Sequence, residues 1–340
     1  MQKDFHYGVI KILALHSGFN EPEAETLAYS SQYVDDAVLH RPFIIDGKIY
    51  MDHPRFDGKY FDPVCTAHKG IQFIEDFKLS VQEKIYLSFH FLPEEPYKGS
   101  GKYCYEVMPN SEMGQILVYW AMAKLKSDYT LENLIRLGVA LHSFADTWAH
   151  QRFSGTHNHR ANDIHHIEIW DGKHWKAIKP YRQFFYNFFP DIGHAEAYDF
   201  PDLPFLKWRY IRARTNEFIV RDNTSIFLEA AEVIFKILCN IKNCNSNWRD
   251  IENKLIKALA THRNSKEIFG PLAAHFPNVT LKYSSLDWLE KAIKFKRIRR
   301  FPHLIGQVRD DRKWFIFHKV AYEQRKFVLD KIKSLRNRNI

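Results

Sequence analysis

Residues 137–155 read LGVALHSFADTWAHQRFSG, and within them His142, Asp146 and His150 recur at every fourth position among apolar neighbours. Side chains four residues apart lie along one side of an α-helix, drifting by about 40° per step, so two imidazoles and a carboxylate can project into one cleft. Imidazole nitrogen and carboxylate oxygen are the usual ligands of hydrolytic zinc, and a carboxylate between two histidines can bridge two ions through its two oxygens. The plainer reading is a satisfied pair of core histidines. Burying two imidazoles and a carboxylate on one apolar stripe is costly without partners, which favours metal ligation.

Residues of the same chemistry recur along the chain. His6 precedes the first predicted helix, Asp35 and Asp36 end the second, and His68 follows DPVCTA. His90 lies in SFHFLPEEP, and His194, Glu196 and Asp199 lie in IGHAEAYDFPD. The loop HNHRANDIHH adds His157, His159, His165 and His166, whose irregular spacing fits surface or supporting residues, with His157 the strongest ligand candidate among them. Arg152 and Arg160, flanking the end of the central helix, are candidates to meet a phosphate.

Taken in order, these motifs resemble the superfamily of zinc-dependent phospholipases C and fungal single-strand nucleases, helical hydrolases with three zinc ions in one cleft. The resemblance covers roughly residues 4–200. It is carried by His6 opening the first helix in DFHYGVIKILA, Asp35 in SSQYVDD, His90 before an aromatic residue and a proline in HFLPEEP, and the H-x-x-x-D pair of His142 and Asp146 followed by His150. Asn162 in RANDI matches an Asn-Asp loop, and His194 matches a histidine that a carboxylate follows. The run DFHY, SQYVDD, FHFLP and ALHSFADTWAHQ also resembles an uncharacterised bacterial branch of that superfamily.

The resemblance implies a division of ligands. Asp35 with His68 or His90, together with His142 and Asp146, would hold a first ion, with Asp36 a further candidate; His6 and Asp146 would hold a second. His150 and His194 with Asp199 or Glu196 would hold a third. Asp35 is then also the acceptor for the nucleophile's proton, and Asn162, Arg152 and Arg160 form the expected substrate-binding set. Three departures matter. The family's ligating N-terminal amino group is expected to be absent here or replaced by His68, because five residues precede His6. His150 follows Asp146 by only four residues, and the position four beyond His194 is Tyr198. The third ion is therefore expected to bind most weakly and to draw on Asp199, or failing that Glu196, through a local change of backbone register.

The function so implied is zinc-dependent hydrolysis of an anionic phosphodiester, in a phospholipid or a nucleic acid. Two other readings stay open: a catalytically silent helical binding protein with a residual metal site, and a nucleotide phosphohydrolase with a mononuclear or dinuclear centre.

Helical periodicity dominates the elements that must position these groups. Asn20, Pro22 and the acids around them mark a helix start, and further helical pattern is expected over 66–88, 111–126, 130–152, 178–189, 203–220, 222–243, 247–263 and 284–335, the last interrupted near Pro302. Asp46-Gly47 and Asp171-Gly172, each flanked by apolar residues, predict short hairpins. The expected fold is all-α: a phospholipase C/nuclease-like helical body over 1–270 with hairpin excursions, and a basic helical extension over 271–340.

Bulk composition agrees with a globular chain, 45% of its 340 residues being hydrophobic. The net charge of +9, densest in KAIKFKRIRR and KIKSLRNRNI, favours anionic partners, including peripheral contact with a membrane through the C-terminal part. Four cysteines without a C-x-x-C motif read as thiols in a reducing compartment. The N-terminus has no cleavage signal and no apolar run suits a transmembrane segment, so the expected location is cytoplasmic, or outside the cell without a classical signal peptide.

Overall fold

The computed structural model describes residues 1–49, 51–68, 78–94, 105–178, 192–262, 265–297, 304–309 and 311–338. Among these, 54% are helical and 13% lie in strands. The all-α expectation is thereby corrected: the fold is mixed, with two four-stranded sheets set against a helical core. Residues 179–189 of the helix predicted over 178–189, and Cys104, lie outside the described residues.

The helical core begins with a π-helical segment, Asp4–Val9, that continues into α1 (Ile10–His16). α2 (Glu21–Asp36) starts at a capping box in which Asn20 accepts from the Glu23 amide and Glu23 accepts from that of Asn20. A second π-helical segment, Gln82–His90, follows one α-turn. α3 (Glu112–Ser127) and α4 (Leu131–Ala149) are capped by Ser111 and Thr130, and α5 (Asn223–Lys242) by Asp222. α6 (Arg249–Ala260), α7 (Gly270–His275), α8 (Asp287–Ala292) and α9 (Lys313–Arg338) follow, and a single helical turn, His159–Asn162, lies between α4 and α5.

α4 is the axis of the molecule. Every residue from Asn133 to Ala149 is buried, as expected of a helix apolar on all sides. It packs on α2, α3, α5, α9 and the second π segment. Gly138 makes the crossing with α2 possible, since a Cβ there would meet Ser30 Oγ and lie 2.5 Å from the Leu27 carbonyl. The largest core runs from α1 and α3 through α4 to α5 and α6.

The first sheet has the order β2 (Tyr60–Phe61), β1 (Phe43–Asp46), β8 (Leu304–Val308), β7 (Ile293–Arg297), and β1 runs parallel to β8. The hairpin expected at Asp46-Gly47 is therefore replaced by pairing of β1 with β2 and β8. The second sheet is antiparallel, in the order β4 (Trp175–Ala177), β3 (Ile164–Trp170), β5 (Lys207–Arg212), β6 (Phe218–Asp222). The turn at Asp171-Gly172 joins β3 to β4 as predicted. The helix expected over 203–220 is instead β5 and β6: Trp208, Tyr210 and Arg212 point inward while Lys207, Arg209 and Ile211 alternate with them, a two-residue period that a sheet satisfies and a helix does not.

Residues 271–340 supply β7, β8 and α9, so the expected extension shares a sheet with β1 and a core with α1 and α4. Part of its positive charge is spent in that docking: Lys319 pairs with Glu132, and Arg325 donates to the carbonyls of Lys84 and Cys65. Cys239 and Cys244 are joined in a disulfide, which corrects the expectation of free thiols for that pair, whereas Cys65 is a buried thiol. Among the described residues no helix is long and apolar enough to cross a membrane.

Candidate metal centre

Four distant parts of the chain meet around Asp146, one turn before the end of α4. Its Oδ1 lies 3.0 Å from His6 Nε2, contributed by the first π segment, and its Oδ2 lies 3.3 Å from His142 Nε2 and 3.4 Å from His90 Nδ1, contributed by α4 and the second π segment. Both π segments thus end or pass at a candidate ligand, a placement common for these wide helical turns. Asp35, at the end of α2, brings Oδ1 within 3.6 Å of His142 and 3.8 Å of His90. Gln32 donates to its other oxygen.

A second concentration lies one helical turn further on. His150, the residue at which α4 ends, places Nε2 3.2 Å from Asp202 Oδ1, and His194 places Nε2 3.3 Å from Asp202 Oδ2. Arg221 on β6 donates to the carbonyls of Trp148, Ala149 and Gln151 and so closes the open end of α4 beside His150. Gly193 lets the Phe91 ring approach where no Cβ would fit, and the same ring stacks on His150 with centroids 4.4 Å apart.

Hydrogen bonds decide which imidazole nitrogens are open. His90 donates from Nε2 to the Thr66 carbonyl at 2.8 Å, His150 from Nδ1 to the His90 carbonyl at 2.7 Å, and His194 from Nδ1 to the Tyr198 carbonyl at 2.7 Å. In each neutral ring the other nitrogen is then a bare lone pair, and in all three it faces a carboxylate, which also only accepts. Such an arrangement is repulsive unless a proton or a metal cation stands between the partners. A carbonyl holding the far nitrogen of a ligating histidine is also what orients such ligands in metal sites.

The α-amino group of Met1 lies in the same space, 2.6 Å from Asp146 Oδ1 and 3.0 Å from Asp202 Oδ1. Burial works against its charge, but Asp146, Asp202 and Asp35 outweigh burial and raise its pKa to about 11. Burial likewise opposes ionisation of Asp146 and Asp202, and the Met1 ammonium with the surrounding imidazoles holds both well below the usual carboxylate range. His6 is pushed down to about 4 by burial and by His142 beside it. His90 and His194 rise despite burial, through Asp146 and Asp202 respectively. Three carboxylates against one ammonium leave negative charge that protons on His90 and His194, or bound cations in their place, would balance.

Three groups with ligand atoms close enough to share an ion result: His6, Asp35 and His142; His90, His142 and Asp146; and His150, His194 and Asp202. These groups could hold a metal ion. The model of a family of unknown function (DUF6765) matches residues 1–332. The chain belongs to the DUF6765 family. No curated protein and no solved structure matches it.

In this DUF6765 member the expected candidates divide sharply. His6, Asp35, His90, His142, Asp146, His150 and His194 converge. Asp36 instead accepts from the Tyr283 hydroxyl at 2.8 Å, and His68 is in none of the three groups. Glu196 accepts from the Ile164 amide at the start of β3, and Asp199 is exposed. The third-group carboxylate is Asp202, which residue spacing did not single out: two short 3-10 turns, Ala195–Ala197 and Phe200–Asp202, flank Tyr198 at φ 57°, so an α-helical spacing from His194 does not apply. The Met1 amino group, expected to be absent from the site or replaced by His68, stands within it. Asn162 stitches its own loop, donating to the carbonyls of Ser154 and Thr156 and accepting from the Ser154 amide. Arg152 lies 3.8 Å from Glu217, and the Arg160 carbonyl accepts from Arg212. His157 is exposed, its ring against that of His159.

Proposed function

We propose that this chain is a zinc-dependent phosphodiester hydrolase acting on a phospholipid or a nucleic acid, in the manner of the zinc-dependent phospholipases C and single-strand nucleases. The observation that carries the reading is the convergence of His90 Nδ1, His150 Nε2 and His194 Nε2, each ring oriented by a backbone carbonyl, on carboxylates of three aspartates. A set of imidazoles and carboxylates without thiolate suits zinc in a hydrolytic rather than a structural role. His6, Asp35, His90, His142 and Asp146 would hold metal on one side of the centre and His150, His194 and Asp202 on the other. Bound there, zinc supplies a water of lowered pKa and positive charge opposite the phosphoryl oxygens.

The chain's own groups then take distinct parts. Asp146 is buried with both oxygens engaged, so its part is to hold and balance positive charge. Asp35 is 30% exposed at the side chain, the most open carboxylate of the three groups, and is the acceptor for the nucleophile's proton, kept in orientation by Gln32. The test is hydrolysis of a panel of an aryl phosphodiester, phospholipid vesicles and single-stranded DNA by protein purified without chelator. Turnover should vanish with chelator and return with zinc, and Asp35→Asn should lower kcat by about 100-fold or more, the usual contribution of a general base. A zinc-loaded chain that cleaves no member of the panel would overturn the hydrolase reading.

A further inference from the structure

We propose that Gln324 of α9 is a positioning residue for the metal centre, coupling the seating of the C-terminal helix to metal binding; the inference rests on the metal-centre reading above. Gln324 is fully buried, and its Nε2 donates to Ser143 Oγ at 2.8 Å and to the Ser88 carbonyl at 3.2 Å. Ser143 follows His142 on α4, and Ser88 stands two residues before His90 near the end of its π segment, where carbonyls run out of helical donors. One amide therefore ties together the two elements that set His142 Nε2 3.2 Å from His90 Nδ1. The next residue extends the clamp. Arg325 donates to the Lys84 carbonyl in the same π segment and, at 2.6 Å, to the Cys65 carbonyl, immediately before the Thr66 carbonyl that orients His90.

Seating α9 does not need that amide. Val328 and Ile332 enter the main core, the Phe327 ring stacks on Trp120, and Trp314 donates to the Tyr33 hydroxyl. Gln324 Oε1 is buried without a hydrogen-bond partner, a desolvation cost that an apolar side chain of the same length would avoid. A residue whose oxygen adds nothing to the seating of α9, and whose amide bonds beside two ligands, is placed for the ligands. Removing an outer partner of this kind weakens metal binding by about 10–100-fold, and linkage requires bound metal to steady α9 in return.

The test is Gln324→Met, which keeps length and removes the donor, with Val328→Ala as a packing control on the same helix. Zinc affinity is read by competition with a chromophoric chelator, metal-free stability by thermal melting, and α9 by hydrogen exchange with and without zinc. Gln324→Met should bind zinc about 10–100-fold more weakly, while its metal-free melting temperature falls no further than that of Val328→Ala. Zinc should slow exchange in α9 of the wild type and not of that variant, and Val328→Ala should lose melting temperature while keeping its zinc affinity. A Gln324→Met chain that binds zinc as tightly as the wild type, or a Val328→Ala chain weakened equally, overturns the clamp. A wild type that takes up no zinc at all overturns the metal centre itself, and the clamp with it.

Discussion

At the scale of residues, Asp146 stands where every line of contact crosses: one oxygen faces the Met1 ammonium and His6, the other His90, His142 and His150. Asp146→Asn keeps the shape and removes the charge, so zinc affinity should fall by more than the ~10–100-fold that loss of an outer partner costs. Metal analysis after gel filtration reads the result, and wild-type zinc content in the variant would dismiss Asp146 as a ligand. A sharper comparison separates Asp202 from its neighbours. Asp202→Asn should strip the ion shared with His150 and His194, whereas Asp199→Asn and Glu196→Gln should retain it, Asp199 being exposed and Glu196 engaged with the Ile164 amide. Chelator titration of the three variants side by side decides between them. Residue type and order along the chain were enough to make His6, Asp35, His90, His142, Asp146, His150 and His194 legible as one site. Asp202 was not legible, because a spacing rule presumes a helix and the chain turns at Tyr198 through a positive φ.

At the scale of elements, the centre depends on how closely α2 approaches α4. Gly138→Ala would drive a methyl into Ser30 and the Leu27 carbonyl, at an expected cost of about 1–3 kcal/mol in chemical denaturation. It should also weaken zinc binding, since Asp35 ends the one helix and His142 rides on the other. A second dependence concerns acid. His53 accepts the Arg55 amide on Nδ1 and donates to the Phe315 carbonyl, while His318 accepts the Val64 amide on Nδ1, so both rings are neutral where α9 meets the loop beside β2. Burial pushes His53 down to about 4 and, with His53 nearby, holds His318 well below the histidine range. The unfolded chain, with ordinary imidazoles near pH 6.5, takes up these protons first as pH falls. The contribution of these two rings to stability is therefore expected to be level above about pH 6.5 and to drop between there and pH 4, by on the order of 3 kcal/mol for His53 alone. Urea denaturation across that range checks it, and His53→Gln should flatten the slope. Capping signals and long apolar faces made α2, α3, α4, α5 and α6 legible in the sequence. β5 and β6 were not, because their two-residue alternation runs for only six and five residues between apolar stretches read as helix, and pairing with β3 is what makes it a sheet.

At the scale of the whole molecule, the site is assembled from segments far apart in the sequence. Residues from the N-terminus, α2, the second π segment, α4 and the 194–202 segment supply the ligand atoms, and α9 braces two of those elements from behind. Metal bound to the folded chain alone should therefore stabilise all of it together: with zinc at about 100 times its dissociation constant the gain is about 2.7 kcal/mol, seen as a higher melting temperature that chelator reverses. Whether zinc occupies these groups is decided by anomalous scattering from a crystal of the zinc-loaded protein, measured on both sides of the zinc absorption edge. Peaks are expected at the two concentrations, one among His90, His142 and Asp146 and another among His150, His194 and Asp202. Density there without an anomalous peak, or zinc found only on surface histidines such as His157 and His159, would contradict a zinc centre built around Asp146.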